Sequence, residues 1–167
     1  LKNKKADISL SAGNTGAMLV ISRLLLKNIE GISKPALAAL WPNKENMNVV
    51  LDLGANIECD EKNLCDFASM GSALFKSLFI NKNPRVALLN VGLEEYKGND
   101  TLKKTFSMIK KNNIKNFKFF GFIEGNQIMN GDIDVIVTDG FTGNIALKTA
   151  EGTANFITSN LKKSLNK

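Results

Sequence analysis

Short apolar runs alternate along this chain with longer stretches in which apolar residues recur every three or four positions. Residues 49–53 read Val-Val-Leu-Asp-Leu, which predicts a buried strand. The same pattern predicts strands over 85–91, 118–123 and 134–138, and a short one at 8–10. Over 61–79, Leu64, Phe67, Ala68, Gly71, Leu74, Phe75 and Leu78 keep i, i+3, i+4 spacing, which predicts an amphipathic helix. A second such helix is expected over 100–111, with Leu102, Phe106 and Ile109 on one face and lysines on the other. Residues 17–28 read as a helix that is apolar nearly all round, hence buried. A long helix is expected over 144–164. Residues 41–48 read as a polar connection, and Pro35, Pro42 and Pro84 fall between elements. Strands alternating with helices predict an α/β layered fold with a mostly parallel sheet, in a single domain over residues 1–167.

The glycines fall where these strands end. Ser-Ala-Gly-Asn-Thr-Gly at 11–16, Asp-Leu-Gly-Ala-Asn at 52–56, Asn-Val-Gly at 90–92 and Asp-Gly-Phe-Thr-Gly-Asn at 139–144 each follow an apolar run. In a parallel sheet such turns gather at the carboxyl ends of the strands, where α/β folds bind ligands. Glycine admits close backbone approach, and helix N-termini offer free N–H groups and the positive end of a dipole. Together these favour an anion, phosphate first. Gly and Asn also make ordinary turns and caps, so one loop by itself would decide little. Neither a G-x-x-x-x-G-K-[ST] loop nor a G-x-G-x-x-G turn is present.

Composition narrows the chemistry. The chain has no His, which excludes a Ser-His-Asp triad, His acid–base catalysis and the commonest metal ligand. Its two cysteines, Cys59 and Cys65, lack zinc spacing and read as buried or helix-flanking thiols. The net charge is +6, but 20 of the 22 basic residues are Lys and no basic run is interleaved with aromatics. Nucleic acid is therefore not the expected partner. No apolar run is long enough to span a bilayer and no signal-peptide pattern opens the chain, so a cytoplasmic location is expected. No carboxylate spacing argues for a bound metal.

At its loops the sequence strongly resembles the phosphate acyltransferase family. The matching stretches are residues 11–17, 35–40, 51–56, 84–90, 97–99, 131–144 and 146–149, in the family's order. The resemblance implies a three-layer αβα sandwich related to isopropylmalate and isocitrate dehydrogenases and to phosphotransacetylases. It implies acyl transfer from acyl carrier protein to inorganic phosphate in fatty acid and phospholipid synthesis, with no cofactor. It also implies a homodimer in peripheral contact with the cytoplasmic membrane face. The family's opening strand and Asp-Ala-Met-Gly-Gly-Asp loop have no counterpart here, and its members continue past the final helix. The resemblance thus implies the central part of a longer chain.

The residues suit that reaction. Inorganic phosphate is largely ionised at neutral pH, and a thiolate with a pKa of about 8.5 leaves without a strong acid. The protein must supply position and charge stabilisation, not a proton shuttle. Lys97, in a loop followed by Gly98, is singled out by its place and by the resemblance as the positive charge for phosphate or a developing oxyanion. Asn144 is either an amide donor to the thioester oxygen or the N-cap of the last helix. Gly13, Asn14, Thr15 and Gly16 are expected to bind phosphate, with Asp52, Asn56, Asp139 and Gly143 lining the same edge. Asp139 either orients Lys97 or orders a loop. Glu94 and Glu95 read as solvated charges. Phe106, Phe117, Phe119, Phe120 and Phe122 either border an acyl channel or, as is commoner, pack the core. Rival readings are a coenzyme A-dependent phosphotransacetylase, a dehydrogenase of the related fold, and a non-catalytic binding module.

Overall fold

In the computed structural model, which describes residues 1–80, 83–112 and 114–166, the apolar runs form one five-stranded sheet. The chain divides into two compact units, Leu1–Pro35 and Ala36–Lys167. In the first, residues Thr15–Leu26 form α1, and Asn14 caps it by accepting a hydrogen bond from the Ala17 N–H at 3.0 Å. None of the residues of α1 is buried, contrary to the expectation from its apolar composition. A unit this short cannot enclose an apolar helix. Nor do residues 8–10 form a strand: Ile8 and Leu10 stand 82% and 97% exposed. A lone three-residue strand has no ladder to satisfy its backbone within that unit.

The sheet belongs wholly to the second unit. Its strands are β1 (Ala38–Pro42), β2 (Met47–Leu51), β3 (Arg85–Leu89), β4 (Lys118–Ile123) and β5 (Val135–Val137), in the order β1-β2-β5-β3-β4. The pairs β2–β5, β5–β3 and β3–β4 are parallel, and β1–β2 is antiparallel. The hairpin β1–β2 corrects the expectation of a plain connection over 41–48. Asn43 makes its turn, accepting from the Glu45 and Asn46 N–H groups at 2.9 and 2.6 Å. Pro42 closes β1, an edge strand, where a missing N–H is tolerated.

Helices α2 (Glu61–Leu78) and α3 (Asp100–Asn112) cover one face of the sheet. Leu64, Phe67 and Phe75 of α2 and Ile109 of α3 pack on Val49, Leu51, Val86, Leu88, Val135 and Val137. Asp60 and Asn63 close a capping box that fixes where α2 begins. The alternate residues Val50, Ala87, Leu89 and Ile136 face the other way, toward Trp41 and toward Ala146, Leu147 and Ala150 of α4 (Gly140–Leu165). The arrangement is helix, sheet, helix, as an α/β layered fold requires. The aromatic cluster belongs to the first core: Phe117 and Phe122 are buried, and Phe106 packs on Phe119 and Phe122 with ring centroids 5.4 and 5.1 Å away. Phe120 points out instead, beneath the Lys118 ammonium at 4.8 Å.

At the amino edge of the sheet, Arg85 donates to both carboxylate oxygens of Asp134, each at 2.9 Å, and to the Gly131 carbonyl at 2.8 Å. This fork ties the start of β3 to the start of β5. Among the described residues no helix is long and apolar enough to cross a membrane.

Candidate active site

Because β2, β5 and β3 are adjacent and parallel, their carboxyl ends deliver Asp52, Asp139 and Asn90 to one edge. Asp52 is fully buried. Its Oδ1 accepts from the N–H groups of Leu37, Gly54 and Ala55 at 3.0, 3.2 and 2.9 Å. Its Oδ2 accepts from the Asn56 backbone and side-chain amides at 2.8 and 2.7 Å. Five donors on one carboxylate leave it no capacity for a ligand. Asp52 and Asn56 act on the site through the shape of their loop.

That loop is the seat of α4. The Gly140 N–H donates to the Asn56 carbonyl at 2.8 Å. A Cβ on Gly143 would run into the Asp52 carbonyl oxygen and meet Thr138 Cγ2 at 2.8 Å. The glycine at 143 thus admits close approach of loop to helix, and the space it leaves is filled by protein. Asp139 is the N-cap: its Oδ1 accepts from the Thr142 N–H at 2.8 Å and its Oδ2 from the Thr142 hydroxyl at 2.9 Å. Helix α4 therefore starts at Gly140, before the expected position, and Asn144 is not its cap. Asn144 is exposed in the first turns of α4, with its side chain lying against Gly54. Of the two roles open to Asp139, the structure gives it the ordering of a helix start.

After β3 the chain makes a loop around Asn90. The Asn90 amide donates to the carbonyls of Gly92 and Lys97 at 3.1 and 3.2 Å. Lys97 carries a partly exposed ammonium paired with Glu94 at 3.1 Å. The Glu94 carboxylate holds the Lys97 proton more tightly than usual. Glu94 itself titrates below its ordinary range, chiefly through backbone hydrogen bonds at its own position and then through Lys97. Glu95 pairs with Lys110 at 2.9 Å. Neither glutamate is merely solvated.

Two cavities open at this edge. One, of about 600 Å³, has Leu89, Asn90, Gly98, Ile145 and Ala146 in its wall. The other, of about 530 Å³, has Ile57, Glu58, Cys59, Leu64, Thr101 and Phe141 in its wall. Asn99, Leu102, Asp139 and Thr142 line both. Leu64, Thr101 with Leu102, and Phe141 with Thr142 belong to the opening turns of α2, α3 and α4. The starts of three helices thus converge on one place, each capped by its own side chain, Asp60, Asn99 and Asp139. At Cys65, on α2 beyond this wall, burial and then Asp66, Glu61 and Asp60 push the thiol up to about 11, which disfavours the nucleophilic thiolate.

The structure therefore brings Asp52, Asn56, Asp139, Gly143 and Asn144 together, with Lys97 one residue before the cavity-lining Gly98. Gly13, Asn14, Thr15 and Gly16 lie in the other unit, at the start of α1, where the Gly13 N–H donates to the Ser11 hydroxyl at 3.1 Å. Sequence reasoning left Asn90, Asn99 and Thr142 out of the site. Asn99 caps α3, accepting from the Leu102 N–H at 2.8 Å. Its place just before Asp100 and a helical run is the signal that could have found it.

The pattern for the family described as "Fatty acid synthesis protein" matches residues 1–167. The chain belongs to this fatty acid synthesis protein family. A family relative from Pelagibacter ubique, named phosphate acyltransferase, is 68% identical over 99% of the chain and 50% of its own length. Phosphate acyltransferases from Sinorhizobium fredii and Maricaulis maris are 46% and 49% identical over 98% and 94% of the chain, and 47% and 44% of their own lengths. The chain spans about half the length of the curated relatives it matches. A solved structure, the EutD phosphotransacetylase from Staphylococcus aureus, superposes with a TM-score of 0.58 at 18% identity, over 80% of this chain and 46% of that one. That likeness is one of fold alone, a layered α/β arrangement shared over 80% of this chain.

Proposed function

We propose that this chain carries the active-site edge of an acyltransferase that moves an acyl group from acyl carrier protein to inorganic phosphate. One observation supports the reading above all others: the opening turns of α2, α3 and α4 line one cavity at the carboxyl edge of the sheet, with the Lys97 loop beside it. Helix N-termini and a lysine favour a phosphate dianion. A phosphate oxygen attacks the thioester carbonyl carbon, the C–O bond forms, and the C–S bond breaks to release the thiolate. No cofactor is needed, because the nucleophile arrives ionised and the leaving group is a good one.

In this reading Lys97 holds phosphate or the oxyanion. Asn144 donates its amide to the thioester oxygen. Asp52, Asn56, Asp139 and Gly143 hold the edge in shape. The reading takes acyl carrier protein as partner, a homodimer as the working form, and peripheral contact with the cytoplasmic membrane face. The runner-up is an acyl-coenzyme A donor, favoured by the phosphotransacetylase likeness of the fold.

Supplying matched acyl-carrier-protein and acyl-coenzyme A thioesters with phosphate, and trapping the product as a hydroxamate, separates the two. Faster acyl-phosphate formation from the carrier protein is expected. A preference for coenzyme A would favour the runner-up, and no acyl phosphate from either donor would sink both.

A further inference from the structure

We propose that Asn90 is a positioning residue that clamps the loop after β3 and so holds Lys97 in place within it. This inference rests on the function proposed above for Lys97. Asn90 is only 8% exposed, and its backbone N–H continues the ladder by donating to the Ile123 carbonyl at 2.9 Å. Its side-chain Nδ2 bridges the loop, donating to the Gly92 carbonyl at 3.1 Å and the Lys97 carbonyl at 3.2 Å. Two facing carbonyls fix which end of the amide is nitrogen. One side chain thus ties the second residue after it to the seventh.

The rest of the loop is built to that clamp. Gly98 has φ +89°, and a Cβ there would collide with Asn90 Oδ1. A Cβ on Gly92 would collide with Lys97 Cδ, so the lysine stem runs across Gly92. The Lys97 N–H closes the turn on the Glu94 carbonyl at 3.0 Å. Asn90 Oδ1 is buried without a hydrogen-bond partner. A buried orphan acceptor is destabilising, and an apolar side chain would fill the strand end without it. What only Asn supplies here is a neutral donor pair at the length that reaches both carbonyls.

Asn90→Asp is the sharp variant. It keeps the side chain's size and replaces the bridging nitrogen with an oxygen facing two carbonyl oxygens. Two measurements on the full chain test the proposal. The first is amide hydrogen exchange over residues 92–98. Faster exchange in N90D is expected, and unchanged protection would overturn the clamp whatever reaction the protein catalyses. The second is a cycle of wild type, N90D, K97A and the double variant, reading kcat and the thioester KM for acyl-phosphate formation. N90D is expected to lower kcat on the order of a hundredfold, as misplacement by about 1 Å can. The thioester KM should stay within about twofold. In the K97A background N90D should cost nothing further, because the loop matters through Lys97.

Multiplicative losses, or N90D with wild-type kcat, would overturn the positioning role. Wild-type turnover in K97A would overturn the role given to Lys97 and the positioning with it, while the exchange measurement still reads the clamp. If N90D does not fold, N90A replaces it in both measurements, with a smaller loss expected and the same absence of effect beside K97A.

Discussion

Asp52 and Lys97 stand in the loops after β2 and β3, on either side of β5, and meet opposite fates. Asp52 is buried and saturated by five N–H donors. Lys97 is partly exposed and answers to one exposed carboxylate, Glu94. The first charge builds the loop on which α4 sits; the second is left accessible on its loop. A charged residue at the carboxyl edge of this sheet is therefore either saturated by the fold or left accessible, and the number of its own donors or acceptors distinguishes them. Stability should track the scaffold, and activity the accessible charge.

The strongest way to break this comparison is Asp52→Ala. Five donors would lose their acceptor inside the fold, and a loss of about 4 kcal/mol or more in denaturant unfolding is expected. A loss below about 1 kcal/mol would mean that the carboxylate is not the organiser of its loop. Next comes Gly143→Ala, whose methyl would meet the Asp52 carbonyl. Overpacking there should cost about 1–3 kcal/mol, read the same way. A neutral result would show that loop and helix can separate freely.

Asp66 sharpens the comparison from the other side. Its Oδ2 is buried without a hydrogen-bond partner, and burial raises its carboxyl above the ordinary range despite Lys62 at 3.8 Å. A carboxyl raised on folding holds its proton better in the native state. Its stability contribution is thus greatest below the unfolded value and declines as pH rises through the folded one. Asp66→Asn should stabilise the protein at neutral pH and change little near about pH 3. An equal gain at both would trace the effect to something other than charge. The smallest stability effect belongs to Lys97→Ala, within about 0.5 kcal/mol, as for other exposed positions.

Much of the fold was legible because it obeys simple periodicities. Helix α2 repeats its apolar positions every turn and carries its capping box in sequence, and the buried strands are unbroken apolar runs. Strand β1 was not legible, since Ala-Ala-Leu-Trp-Pro at an edge shows no alternation and ends in a proline. The start of α4 was misplaced because Gly140 and Gly143 are poor helix formers; the Asp139 cap and contact with the Asp52 loop override that preference.

The site was half legible for a related reason. The sequence pattern and the family resemblance picked out the loops that the sheet gathers at one edge, those of Lys97, Asn144 and Asp139 among them. They could not say what a glycine's empty side faces. For Gly143 the answer lies in a carbonyl 91 positions earlier in the chain, which only folding brings there. Likewise nothing local marks Asn90 as a clamp, since its second acceptor is the backbone of Lys97.

The central claim is that the edge divides into a scaffold and a reacting pair. Its most direct test is acyl-phosphate formation by Lys97→Ala and Asn144→Ala, measured beside their thermal unfolding. The account predicts turnover reduced by roughly a hundredfold or more in each, with melting temperatures close to wild type. Wild-type turnover in both variants would contradict it.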